Sequence, residues 1–300
     1  MQLAFRLGNK HLPLYASRFS RHDFTLPQLF ACLVLRQFYG LDYRGVVGLL
    51  DDAPDLRASI GLKKTPRRST LCDAFDKIVS DQRLEPCFDE LVKAFEEAGL
   101  LKLGRFPAAV DSSMFESRHV SRHFERRKRD SEAASPGTPA YRAKIRSTVR
   151  QLPKLSLVVA CGCHLILAAH ASTGCCSDHV QAERVIKGAW LRAPVKRFVA
   201  DAGYDAEKTH RLVREDLDCD LLVPAVIGVS AARPPKAPWR RLMFDRFKQK
   251  RTRKQYGQRW AVETTFSMIK RNYGSALRAR TPARRERELL LMAMTHNLAV

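Results

Sequence analysis

Apolar and polar positions alternate in two different rhythms along this chain, and the change falls near residue 100. From Phe24 to about residue 100 the spacing is helical. Leu29, Phe30, Leu33, Val34 and Phe38 fall on one stripe, with Thr25 placed to cap the helix and Pro27 near its start. Gly40 ends that helix, and Asp42 can cap a second that runs through Val46, Val47, Leu49 and Leu50. A basic loop, Lys63-Lys64-Thr65-Pro66-Arg67-Arg68, precedes a third helix. Ser69 or Thr70 is its expected cap, and Leu71, Phe75 and Ile78 form its apolar face. A fourth is expected from about Pro86 to Ala98. Short helices with a basic approach to the third predict a helix-turn-helix-like DNA-binding unit or, equally consistent with the pattern, a plain helical packing domain.

After Gly104 the runs shorten and become β-like. Phe106–Met114 reads as a strand that brings Asp111 toward its end. Residues 154–169 read as two apolar strands joined by a turn at Cys161-Gly162-Cys163. Residues 197–200 form a short strand leading into Asp201, a helix follows over about 206–216, and 220–224 is one more strand. Residues 256–273 are helical, and the apolar run from Glu288 to Val300 is expected to pack as a helix on the core. Strands first, then strand and helix in alternation, predict an α/β domain with a mixed sheet. The expected organisation is therefore a helical domain over residues 1–100 and a second domain over 101–300, with basic insertions near 117–150 and 228–255.

Charge changes this picture. The chain has 53 Lys and Arg against 31 Asp and Glu, a net of +22, which points to a polyanionic partner. Between Arg240 and Arg285 there are 15 cations and 2 acids, so more than half of the excess lies in one segment. Arg240, Arg241, Arg246, Lys248, Lys250, Arg251, Arg253 and Lys254 are expected to touch phosphates as a group. Trp239 among them can stack on a base or simply pack. No run of 18 or more apolar residues is present, so no membrane span is expected. The N-terminal residues read as no secretory signal, which makes the eight cysteines reduced thiols of the cytoplasm.

Candidate chemistry begins with two acids. Asp111 and Asp201 each follow an apolar run, and side chains at strand carboxyl ends in α/β sheets collect around crevices. Two such carboxylates can hold a hard divalent cation, although either alone reads equally well as a turn former or cap. Asp178 is a fourth acidic member of such a site or the cap of a helix over 180–187. Cys161, Cys163, His164, His170, Cys175, Cys176 and His179 are dense but lack the paired spacing of a zinc site. Tyr256, Arg259, Glu263 and Lys270 stand 3, 4 and 7 residues apart. At roughly 100° per residue they share an arc of about 60° on one helix face. That face is a solvated one with an Arg259–Glu263 pair, or a face that lies on phosphate and turns one carboxylate to a metal.

The spacing Tyr256-x2-Arg259-x3-Glu263-x6-Lys270 resembles the Y-(2)-R-(3)-E-(6)-K signature of bacterial insertion-sequence transposases of the DDE class, groups four and five. The blocks around Asp111 (VDSS) and Asp201 (VADAGYD), and the Ser69-Thr70-Leu71-Cys72 segment, are similar to blocks of the same family. The resemblance implies an α/β fold with an RNase H-like mixed-sheet catalytic core and an N-terminal helical, helix-turn-helix-like domain. It implies Asp111, Asp201 and Glu263 as catalytic metal ligands for two Mg²⁺ ions, with Mn²⁺ able to substitute. Tyr256, Arg259 and Lys270 become contacts to double-stranded DNA at the transposon end. The implied function is cleavage and transfer of DNA strands between transposon ends and target, by a homodimer on DNA at the bacterial nucleoid. A catalytically inactive or regulatory DNA-binding relative, or a nuclease on the same fold, is the alternative.

Overall fold

The computed structural model describes residues 1–19, 21–101, 105–118, 152–173, 178–226 and 233–300. The expected insertion at 117–150 lies almost wholly outside them, as do residues 228–232. The described chain forms two compact units. One comprises Met1–Leu100, Ser267–Ser275 and Arg287–Val300, and the other Leu101–Phe266 and Ala276–Glu286.

The first unit is helical. It contains α1 (Gln2–His11), α2 (Leu26–Phe38), α3 (Tyr43–Asp52), α4 (Pro54–Ala58), α5 (Arg68–Ile78) and α6 (Asp81–Glu97). α2 is the central helix, buried from Leu26 through Gln37 except at Gln28 and packed on α1, α3 and α5. Its start is as expected. The Thr25 hydroxyl accepts from the Gln28 N–H while the Gln28 side chain accepts from the Thr25 N–H, a reciprocal cap that satisfies two otherwise orphaned donors. Gly40 closes the helix at φ +59°, where a Cβ would be strained. Asp42 caps α3 through the Gly45 N–H at 2.7 Å.

Three local expectations are corrected. α5 starts at Arg68, so Ser69 and Thr70 lie inside it and Arg67 is the capping residue, with no side-chain cap bond. α6 starts five residues before Pro86, which sits within the helix. Phe38 is 48% exposed rather than part of the buried stripe. α1, which the apolar spacing does not announce, packs on α2 and α6.

The second unit is built on a five-stranded sheet of order β4-β3-β1-β5-β6. The strands are β1 (Phe106–Met114), β3 (Pro153–Ala160), β4 (Ile166–Thr173), β5 (Val195–Ala200) and β6 (Asp220–Leu222). β1 pairs antiparallel with β3, and β3 with β4, whereas β1–β5 and β5–β6 are parallel. β2 (Glu116–Ser117) pairs with β7 (Ala276–Leu277) in a separate ribbon. α7 (Asp178–Arg192) crosses from the hairpin to β5 and packs on β4, β3 and β1. This mixed sheet is compatible with an RNase H-like core. β3 is buried at every position, as a strand covered on both faces requires.

Beyond the sheet, α8 (Glu207–Arg211) widens into a π-helical turn at Leu212–Asp216. Where a loop or insertion was expected, residues 238–256 form α9 (Pro238–Arg246) and α10 (Lys250–Tyr256). A 3-10 turn at Gly257–Arg259 joins α10 to α11 (Trp260–Tyr273), and α12 (Pro282–Ala299) closes the chain. No helix among the described residues is long and apolar enough to cross a membrane.

Candidate active site

The sheet brings Asp111 and Asp201 side by side. β1 and β5 run parallel with Val110 opposite Ala200, so the residue that follows each is an aspartate at the same level. Each carboxylate is held from the backbone. The Ser112 N–H donates to Asp111 Oδ1 at 2.7 Å, and the Gly203 N–H donates to Asp201 Oδ1 at 2.9 Å. Burial pushes Asp111 up to about 6. The Ser112 bond and Arg259 oppose that rise, and the Asp201 and Asp178 charges add to it. Burial likewise raises Asp201, with Asp178 contributing and the Gly203 bond opposing. Tyr204 is fully buried beside them. Its phenol is raised well above the ordinary value by burial and then by the charges of Asp178, Asp111 and Asp201.

Glu263 approaches on α11 through a guanidinium. Arg259 NH1 lies 3.3 Å from Asp111 Oδ2, and its NH2 donates to Glu263 Oε1. One cation thus bridges two of the three predicted acids. Tyr256 stands under the same guanidinium, 5.9 Å from ring centroid to Cζ. The face predicted from helical spacing therefore forms around Arg259, although the helix tightens to 3-10 geometry over Gly257–Arg259. The opposite side of α11 is core, with Val262 and Ile269 at 0% exposure. Lys270 lies seven residues beyond Glu263 on α11, in the part that belongs to the helical unit.

The β3–β4 turn fixes the start of α11. His164 has φ +58°, and its Nδ1 lies 3.3 Å from both Ala261 O and Thr265 Oγ1. Cys161 Sγ donates to Gln258 O at 3.6 Å. Cys161 and His164 are thus engaged by the helix start. Cys175, Cys176 and the His179 side chain lie outside the described residues.

Several participants were not legible in the sequence. Ser112 and Lys154 both contact Asp178: the Ser112 hydroxyl donates to Oδ1, and Lys154 Nζ is 2.5 Å from the same oxygen. Gly203 sits where a Cβ would stand 2.8 Å from Asp178 Oδ2 and 3.0 Å from Asp201 Oδ1, so a side chain there would displace the Asp178 carboxylate and crowd Asp201.

The basic segment behaves differently from expectation. Arg240 pairs with Asp205, Arg246 with Asp220, and Arg241 and Lys248 with Asp245. These four are committed within the protein. Lys250, Arg251, Arg253 and Lys254 on α10 are exposed. Trp239 packs, its indole N–H donating to Glu215 and its ring facing Arg214.

The donor chemistry fits a divalent cation: oxygens only, mutually repelling, anchored by backbone N–H groups and left open by a glycine. The arrangement is an acidic site that attracts positive charge. In the present conformation Arg259 supplies that charge between Asp111 and Glu263. Among the described residues no three His, Cys, Asp or Glu side chains stand grouped to hold a metal ion.

Comparison with known proteins assigns the class. The family model described as the transposase DDE domain matches residues 108–298, which spans Asp111, Asp201 and Glu263. The match covers well over half of the chain, and the protein belongs to the DDE transposase family. No curated protein matches it significantly.

Proposed function

We propose that this protein is a transposase that binds insertion-sequence ends as double-stranded DNA and catalyses strand cleavage and strand transfer. Its acidic triad is Asp111, Asp201 and Glu263. The observation that carries the reading is the level pairing of Asp111 and Asp201 on adjacent parallel strands, both with raised proton affinity, within a chain of the DDE family. Tyr256, Arg259, Glu263 and Lys270 follow the Y-(2)-R-(3)-E-(6)-K spacing, which supports membership of insertion-sequence groups four and five.

In this reading Asp111 and Asp201 would hold divalent ions, two Mg²⁺ or Mn²⁺ in their place, and Glu263 would join them once Arg259 releases its carboxylate. The ions would supply activation of the attacking oxygen and stabilisation of the leaving one. In cleavage, a water oxygen bonds to phosphorus and the bond from phosphorus to the 3′ oxygen breaks, freeing a 3′-hydroxyl. In transfer, that hydroxyl attacks a target phosphodiester and displaces a target 3′-hydroxyl. No protein side chain needs to become covalently attached. Arg259, once freed, can pair with a backbone phosphate, and Tyr256 and Lys270 contact the same DNA end. Exposed cations of α10 and the basic loop before α5 extend the electrostatic footprint. The helices of residues 1–100 serve as the end-recognition domain, and synapsis of two ends requires a homodimer. The setting is the bacterial nucleoid.

The test is incubation of the purified protein and Mg²⁺ with DNA carrying the inverted repeats that flank its gene. Wild type nicks at the repeat end. Asp111→Asn, Asp201→Asn and Glu263→Gln bind the repeat but cut at least about a thousandfold more slowly, the loss of several kcal/mol of charge stabilisation. Cleavage at the wild-type rate by any of the three removes it from the triad.

A further inference from the structure

Asp178 is joined to both Asp111 and Asp201, in two different ways. Toward Asp201 it shares the open space over Gly203, where a single added carbon would meet Asp178 Oδ2 and Asp201 Oδ1 together. Toward Asp111 it acts through Ser112, whose hydroxyl donates to Asp178 Oδ1 while its backbone N–H holds Asp111 Oδ1 at 2.7 Å. Lys154 meets Asp178 from β3, with a side chain only 5% exposed. The strand that carries it is buried throughout, and an ammonium group in such a wall is costly without a partner. Its Nζ lies 2.5 Å from Asp178 and its charge also reaches Asp201. Asp178 is the first residue of α7, so the helix start holds this carboxylate against the sheet.

We propose that Asp178 is a fourth acidic member of the site, a positioning residue that sets its affinity for divalent cations, with Lys154 as its fixed counter-cation. The inference rests on the metal-site reading above. Asp178 orients Asp111 through Ser112 and adds negative charge opposite Asp201. Lys154 cancels one of the acidic charges, so that the remaining ones can be satisfied by cations arriving with substrate. Gly203 is the residue that makes the shared space possible.

The pair makes predictions of opposite sign. Mn²⁺ binding by the full chain without DNA is measured by electron paramagnetic resonance titration, with circular dichroism melting alongside. Asp178→Asn is expected to weaken Mn²⁺ binding by about tenfold, the lower end of effects seen when a supporting partner is removed. Lys154→Met is expected to tighten it. The double variant removes both buried charges together, and it is expected to melt near wild type and to bind Mn²⁺ more tightly than Asp178→Asn. A purely structural pair would weaken binding in both single variants and restore it in the double one. A folded Asp178→Asn variant with wild-type Mn²⁺ affinity, or weaker binding by a folded Lys154→Met variant, overturns the proposal. Asp111→Asn is the control: if it too binds like wild type, the underlying metal reading is overturned rather than the role of Asp178 alone.

Discussion

Two pairs of aspartates in the same unit have opposite characters. Asp111 and Asp201 lie on neighbouring strands, and burial lifts the proton affinity of both. Asp205, four residues on, and Asp220, at the start of the next strand, are also screened from water, yet both are held below the ordinary carboxylate range. What faces them makes the difference. Burial works against the charge of Asp205, but His210 and Arg240, the latter at 2.9 Å, outweigh it. Asp220 is surrounded by Arg197, Arg214 and Arg246 at 2.8–3.0 Å. Asp111 has one guanidinium, shared with Glu263. A fold that supplies three arginines to Asp220 could have supplied more to Asp111. The acids that hold the structure together carry their own counter-ions, whereas the acids of the proposed site are left short of positive charge.

Variants of the two pairs should therefore separate. The largest effect on stability is expected at the satisfied pair. Asp205 is 2% exposed, and Asp205→Ala leaves Arg240 without its carboxylate, which should cost about 3 kcal/mol in urea unfolding. At the other pair the sign reverses. The raised affinity of Asp111 favours folding while it is protonated, and that advantage is lost as pH rises through about 6. Asp111→Asn removes the penalty of ionisation, so it should stabilise the protein by about 1–3 kcal/mol at pH 7.5. The gain should vanish near pH 4. Destabilisation by this variant at pH 7.5 would show that Asp111 is already satisfied. The smallest effect concerns the exposed cations of α10. Neutralising Lys250, Arg251, Arg253 or Lys254 should each lower the slope of log binding against log salt by about 1 on DNA. Arg240 or Arg246 should leave that slope unchanged, because both are already paired.

Much of this was legible in the sequence, and the remainder has physical reasons for having been hidden. The cap at Thr25, the stop at Gly40, the hairpin at residues 161–163 and the strands leading to Asp111 and Asp201 are local patterns, and local patterns determined them. The Tyr256–Glu263 face was readable because helical spacing alone brings those residues together. The assignment of Arg240 and Arg246 to phosphate was not supported, since their partners lie 35 and 26 residues away and no local pattern announces them. Lys154 reads as the polar edge of an apolar strand until α7 brings Asp178 against it. Ser112 reads as an ordinary strand residue and Gly203 as an ordinary turn residue until the fold places two acids around each. No apolar pattern announces α1, because polar and basic residues interrupt its apolar face.

The measurement that bears most directly on the contrast is a Mn²⁺ titration of wild type, Asp111→Asn and Asp220→Asn side by side. Wild type should bind the ion, Asp111→Asn should lose most of that binding, and Asp220→Asn should keep it. Equal binding by wild type and Asp111→Asn, or loss only in Asp220→Asn, would contradict the assignment of the undercompensated pair as the metal site.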